Sequence, residues 1–82
     1  MYVYEPQGVC ARKIEIDLNG DKIASVNFTG GCPGNLFGLA SLVKDMSIAE
    51  AIDKLKGITC KDKSTSCPDQ LSKALEEISN SL

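Results

Sequence analysis

The 82-residue sequence predicts an α+β domain, with a small three-stranded antiparallel sheet followed by three helices packed on one face. Three observations carry this expectation. Apolar and polar residues alternate over residues 10–18 and 22–28, on either side of Asn19-Gly20. Three later segments repeat apolar residues at three- and four-residue intervals. The strands come first and the helices after, which is the order of an α+β chain.

Residues 2–5 read as a short strand ended by Pro6 and Gly8. In the next strand Cys10, Ile14, Ile16 and Leu18 face one side, with Lys13, Glu15 and Asp17 on the other; Arg12 interrupts the apolar side. Asn19-Gly20 is the expected two-residue type I′ turn, because both positions tolerate positive φ. The return strand, about 22–28, then carries Ala24, Val26 and Phe28 on one face and Ser25 and Asn27 on the other. Thr29-Gly30-Gly31-Cys32-Pro33-Gly34 is a tight loop leading to a helix over about 35–44, with Leu36, Leu39, Ala40 and Val43 on one stripe. Ser47-Ile48-Ala49-Glu50 has the form of a capping box. The helix it opens carries Ile48, Ala51, Ile52 and Leu55, and Gly57 is its stop. A polar loop runs from Thr59 to Ser66. Pro68 reads as the first residue of the last helix, where its missing N–H costs nothing, and Leu71, Ala74, Leu75 and Ile78 form the apolar stripe. The expectation is one domain, residues 1–82.

Size and charge narrow the function. A domain this small buries a modest core and commonly needs a staple such as a metal, a disulfide or a second subunit. Net charge is −2 and no cluster of Lys and Arg forms a nucleic-acid footprint. Lys61 and Lys63 read as a solvated loop. No apolar run approaches the ~20 residues that span a bilayer. Met1 to Pro6 does not read as a secretion signal, so the expected location is cytoplasmic, where thiols stay reduced. Two disulfides would be the reading for a secreted chain.

The chemistry lies in the cysteines. The chain has four, Cys10, Cys32, Cys60 and Cys67, and no histidine. Cys32-Pro33-Gly34-Asn35-Leu36 and Cys67-Pro68-Asp69-Gln70-Leu71 share the pattern Cys-Pro-x-amide-Leu, each at a helix start, where a thiolate is electrostatically favoured. Gly30, Gly31 and Gly34 leave room for a ligand to approach the backbone. The intervals, Cys10-x21-Cys32-x27-Cys60-x6-Cys67, contain no Cys-x-x-Cys knuckle, so any metal site must be assembled by the fold. The hairpin helps, because it brings the start of the outgoing strand, near Cys10, beside the end of the returning one, near Cys32. Three readings stay open: a metal or cluster site, buried thiols acting as small hydrophobes, and redox thiols. Lys61 and Lys63 beside Cys60 also suit a thiolate. Without histidine there is no Cys-His or Ser-His pair. Asp69 reads first as a dipole-stabilising residue of a first turn, and second as an acceptor or base beside the sulfurs. Asn35 and Gln70 read as capping groups. Gly30 to Gly34 lacks the Gly-Lys-Ser/Thr ending of a phosphate loop.

Thr65-Ser66-Cys67-Pro68-Asp69 spells the signature of the TSCPD family. Gly8-Val9-Cys10, Gly30-Gly31-Cys32-Pro33-Gly34-Asn35-Leu36 and Gly57-Ile58-Thr59-Cys60 fall in the order and spacing of its small four-cysteine bacterial members. The chain resembles that family over essentially its whole length. The family in turn resembles a C-terminal domain of adenosylcobalamin-dependent ribonucleotide reductases, whose name is often carried over to it. The chain is too short for a radical barrel, a nucleotide site and a cobalamin site, so the resemblance implies an accessory module and not an enzyme on its own. A weaker resemblance, in the order of parts, is to iron–sulfur scaffold proteins of the IscU type, with Cys10, Cys32 and Cys67 at the three ligand positions. Ala11-Arg12 stand where that family has an Asp after its first Cys, and Ser66 stands where it has a His before its last.

The resulting expectation is an IscU-like layout in which Cys10, Cys32, Cys60 and Cys67 converge on one Zn²⁺ or iron–sulfur centre, with Asp69, Asn35 and Ser66 as hydrogen-bonding groups around it. A ribonucleotide reductase or another protein is the expected partner, with no nucleic acid or membrane; a homodimer is compatible with the sequence. The alternatives are a thiol-redox module serving the reductase, with Cys60 and Cys67 as the exchanging pair, and an interaction domain whose cysteines are buried.

Overall fold

A computed structural model describes residues 1–31, 33–59 and 64–81. The elements are β1 (Tyr2–Tyr4), β2 (Ala11–Asn19), β3 (Lys22–Gly30), α1 (Pro33–Val43), α2 (Ile48–Leu55) and α3 (Cys67–Ser81). The strands form one antiparallel sheet in the order β1-β2-β3. This is the α+β layout expected from the sequence, with each element in its expected place to within two residues at most ends.

The hairpin differs in its turn. Asn19 pairs with Lys22, so the two-residue loop is Gly20-Asp21 and not Asn19-Gly20. Only Gly20 has positive φ, at 66°, which matches a II′ turn with glycine at its first central position and not the type I′ turn.

Two irregularities re-aim the strands. Ser25 faces Asp17 but Ile23 faces Leu18, so Ala24 is an extra residue in β3. Ile23 therefore points into the core at 0% exposure, and Ala24, expected there by alternation, is half-buried. A second shift falls between Ala11 and Lys13. It leaves Arg12 exposed and turns Ala11 inward at 2% exposure, while Cys10 is exposed instead of joining the apolar face. Strict two-residue alternation fails at both places, because one extra residue exchanges the faces.

All three helices contribute to one core on one face of the sheet. Ile14, Ile16, Ile23 and Val26 meet Val43 of α1, Ile48, Ala51 and Leu55 of α2, and Leu71, Ala74, Leu75 and Ile78 of α3. Each helical residue here lies on its predicted stripe. Ser47 caps α2 by accepting the Glu50 N–H at 3.1 Å; the return bond of the capping box is not made among the described residues. The α1–α2 linker and the first residue of α2 are sewn to the β2–β3 hairpin by three backbone bonds. Asp45 N–H donates to Ile23 O, Ile23 N–H to Met46 O, and Ile48 N–H to Asp21 O, at 2.8–2.9 Å.

Candidate functional site

Among the described residues, side-chain hydrogen bonds concentrate at the N-terminus of α3. Ser66 is its N-cap: its hydroxyl accepts the Asp69 N–H at 3.1 Å, and its carbonyl accepts the Gln70 N–H at 2.8 Å. Cys67 is thus the first helical residue and Pro68 the second, one place later than the sequence suggested. Both are half-buried.

Asp69 is 5% exposed and acts as a clasp. One carboxylate oxygen accepts the Gly57 N–H at 2.9 Å, just beyond α2. The other accepts the Thr65 hydroxyl at 2.6 Å and lies 3.7 Å from Lys73 Nζ, one turn on. The Thr65 hydroxyl, then the Gly57 N–H, then Lys73 hold this carboxyl below its ordinary value of 3.8, although burial acts in the opposite sense. The Ser66 hydroxyl donates to Ile58 O at 2.5 Å, so α3 grips the end of α2 at two successive residues.

Gln70 reaches the other way. Its Nε2 donates to Thr65 Oγ1 at 2.9 Å, and its Oε1 accepts the Gln7 N–H at 3.0 Å and the Tyr4 hydroxyl at 3.5 Å. Gly8 lies beside Thr65, so a Cβ there would stand 3.5 Å from Thr65 Cγ2. The segment before Cys10 is therefore seated on α3. Burial of the Tyr4 hydroxyl, followed by the carboxylates of Glu77 and Asp69, raises its pKa above the ordinary 10.0.

The segment after Cys10 is held from the opposite side. Ala11 pairs with Gly30. Gly31 (φ +75) approaches so closely that a Cβ would stand 3.2 Å from Ala11 N and 2.7 Å from Leu36 Cδ1. Gly31→Ala is accordingly expected to destabilise the fold by about 1–3 kcal/mol, from left-handed backbone strain plus contact with a backbone atom. Urea unfolding checks this: the midpoint should fall with an unchanged slope.

Two sets of contacts thus lie on either side of Cys10: Gly30-Gly31 meet Ala11, and Gln7-Gly8 meet Thr65 and Gln70, with Ser66 and Asp69 leading on to Gly57-Ile58. They contain residues within one or two positions of each of the four cysteines. Among the described residues the thiols of Cys10 and Cys67 are free, the first exposed and the second half-buried. Cys32 and Cys60 lie outside the described residues, as do Lys61 and Lys63. No three His, Cys, Asp or Glu residues are grouped to hold a metal among the described residues. Asn35 is exposed on α1 and belongs to no hydrogen bond described above.

Sequence reasoning assigned Ser66 and Asp69 to the surroundings of a ligand and missed their clasp. The signal was present: Ser66-x-x-Asp69 has the spacing of a capping box, as at Ser47-x-x-Glu50. Gln70, read as a local cap, instead ties α3 to residues more than sixty positions away.

The fold and this clasp define a class: a small α+β domain whose signature segment opens its last helix and fastens the end of α2 and the segment before Cys10. The family model of the TSCPD domain matches residues 2–79, and the chain belongs to that family. No curated protein and no solved structure matches it. Among the described residues no helix is long and apolar enough to cross a membrane.

Proposed function

We propose that the chain is a thiolate metal-binding module in which Cys10, Cys32, Cys60 and Cys67 hold one Zn²⁺ or iron–sulfur centre. The observation that carries this reading is the pair of contact sets described above, which draws on segments adjoining every cysteine. The donor chemistry fits as well. Four thiolates suit both zinc and a cluster, and four around Zn²⁺ make a closed tetrahedral shell that stabilises without catalysing. Asp69 and Ser66 would act by fixing backbone on either side of the sulfurs, not by coordination. The exposed and half-buried settings of Cys10 and Cys67 do not favour the interaction domain with buried cysteines. The resemblance to a reductase C-terminal domain supports an accessory role in ribonucleotide reduction, in the cytoplasm.

Metal analysis of protein purified aerobically and anaerobically, with each Cys→Ser variant alongside, tests this. The expected result is one centre per chain, lost in each variant, with visible charge-transfer absorption if it is a cluster and none if it is zinc. Metal-free protein under both conditions would overturn it.

One bond favours a second reading. The Ser66 hydroxyl bound to Ile58 O joins the two chain segments that lead to Cys67 and Cys60. As a redox module, these two thiols would pass two electrons and two protons to a disulfide of the partner enzyme, becoming a disulfide themselves. Thioredoxin-dependent recovery of two thiols, abolished by Cys60→Ser, is the outcome that would select it.

A further inference from the structure

We infer that Gln70 is a positioning residue for the thiolate centre, holding the Cys10 segment against the start of α3, beside Cys67, without touching the metal itself. The inference rests on the four-thiolate reading and names what aligns two of its ligands. Gln70 lies three residues after Cys67, about one helical turn on, and Gln7 lies three residues before Cys10. The Gln70 side chain joins these two segments. Its Oε1 accepts the Gln7 N–H at 3.0 Å, and its Nε2 donates at 2.9 Å to the hydroxyl of Thr65, two residues before Cys67. Gln70 and Thr65 are both buried. The other side of Cys10 is held separately, where Ala11 pairs with Gly30. Only Gly8, Val9 and Cys10 stand between the two anchors. A stretch so short, fixed at both ends, confines the Cys10 backbone.

The amide can be bonded in only one sense. The single hydroxyl proton of Thr65 is committed to Asp69 Oδ2 at 2.6 Å, so Thr65 Oγ1 must accept from Gln70. The Gln70 oxygen is thereby turned toward the Gln7 N–H, which can only donate. Asp69 in turn is fixed by the Gly57 N–H. The anchor for the Cys10 segment is therefore aimed by the same bonds that fasten α3 to the end of α2. A buried carboxamide contributes little net stability, because its bonds replace bonds to water. An apolar side chain of similar volume could fill the space, as Leu71 does next to it in the sequence. What the amide adds is direction, and a ligand held in place beforehand spares a metal the cost of ordering it.

Zn²⁺ binding and hydrogen exchange of the reduced chain test this together. Zn²⁺ affinity is read by competition with a chromophoric chelator for wild type, Gln70→Met and Ile48→Val. Gln70→Met keeps the volume and removes the bonds to Gln7 and Thr65. Ile48→Val trims a core residue of α2 outside this network and controls for lost stability. Gln70→Met is expected to bind Zn²⁺ about tenfold more weakly, and Ile48→Val as tightly as wild type. Coupling is reciprocal, so Zn²⁺ should also slow exchange of the wild-type Gln7 amide by about tenfold. That measurement needs no variant and decides the matter if Gln70→Met fails to fold. Wild type that binds no Zn²⁺ overturns the four-thiolate reading, and this inference with it. Wild type that binds Zn²⁺ with Gln7 exchange unmoved overturns this inference alone. So does a Gln70→Met variant that binds as tightly as wild type, or an Ile48→Val variant that loses affinity to the same degree.

Discussion

Asp69→Ala is expected to lower the unfolding free energy by about 3 kcal/mol, because the substitution leaves the Gly57 N–H and the Thr65 hydroxyl without their acceptor in a buried site. Stability for a domain of this size is only about 4–12 kcal/mol, so the loss is a large fraction of the total. A urea titration should show it as a shifted midpoint. Asp69→Asn keeps the volume and can still accept one hydrogen bond, so about half the loss is expected. The two variants also separate charge from shape. The carboxyl of Asp69 titrates below 3.8 in the folded protein, mainly through the Thr65 hydroxyl and then the Gly57 N–H. Its stabilisation is fully present above the unfolded pKa and is lost as pH falls through the lower folded value. Wild type should therefore lose stability more steeply than Asp69→Asn as pH falls below the ordinary carboxyl value of 3.8. Equal slopes would mean that the carboxylate charge contributes nothing to the clasp.

Leu75→Ala is expected to cost about 3–4 kcal/mol. Leu75 is fully buried on α3, within the core shared with Ile14, Ile16 and Leu71. Removing three carbons loses their transfer free energy and leaves a cavity that a packed interior closes only in part. For an 82-residue chain this approaches complete loss of the folded state at physiological temperature. Leu42→Ala is the matched control. Leu42 is 72% exposed on α1, and the same chemical change there should alter stability by less than about 0.5 kcal/mol. Thermal melts of both variants check the pair, and comparable losses would mean that burial does not set the cost.

The helices were readable because their apolar residues recur with the helical period and every predicted stripe faces the core. Leu36 and Val43, Ile48 and Ala51, and Leu71 and Leu75 are all buried. The hairpin was readable from alternation, and its turn was misplaced by one residue because Asn-Gly and Gly-Asp are both acceptable turn pairs. Face assignment failed at Cys10 and Ala24, where a single extra residue in one strand reverses the pattern locally. Local sequence carries no mark of such a bulge; the register with the partner strand creates it.

The candidate site divides along the same line. Residue types alone pointed first to thiol chemistry, since the chain has four cysteines and no histidine. The signature around Cys67 identified the family over residues 2–79. The order of alternating and helical segments specified the α+β architecture, because periodicity is a property of neighbours in sequence. Tertiary structure alone decided that the signature is a clasp. Asp69 binds Gly57 twelve residues away and Gln70 binds Gln7 sixty-three away. Bonds across such distances depend on how α3 lies against α2 and the sheet. That placement is set by the shared core, which no short run of residues can specify.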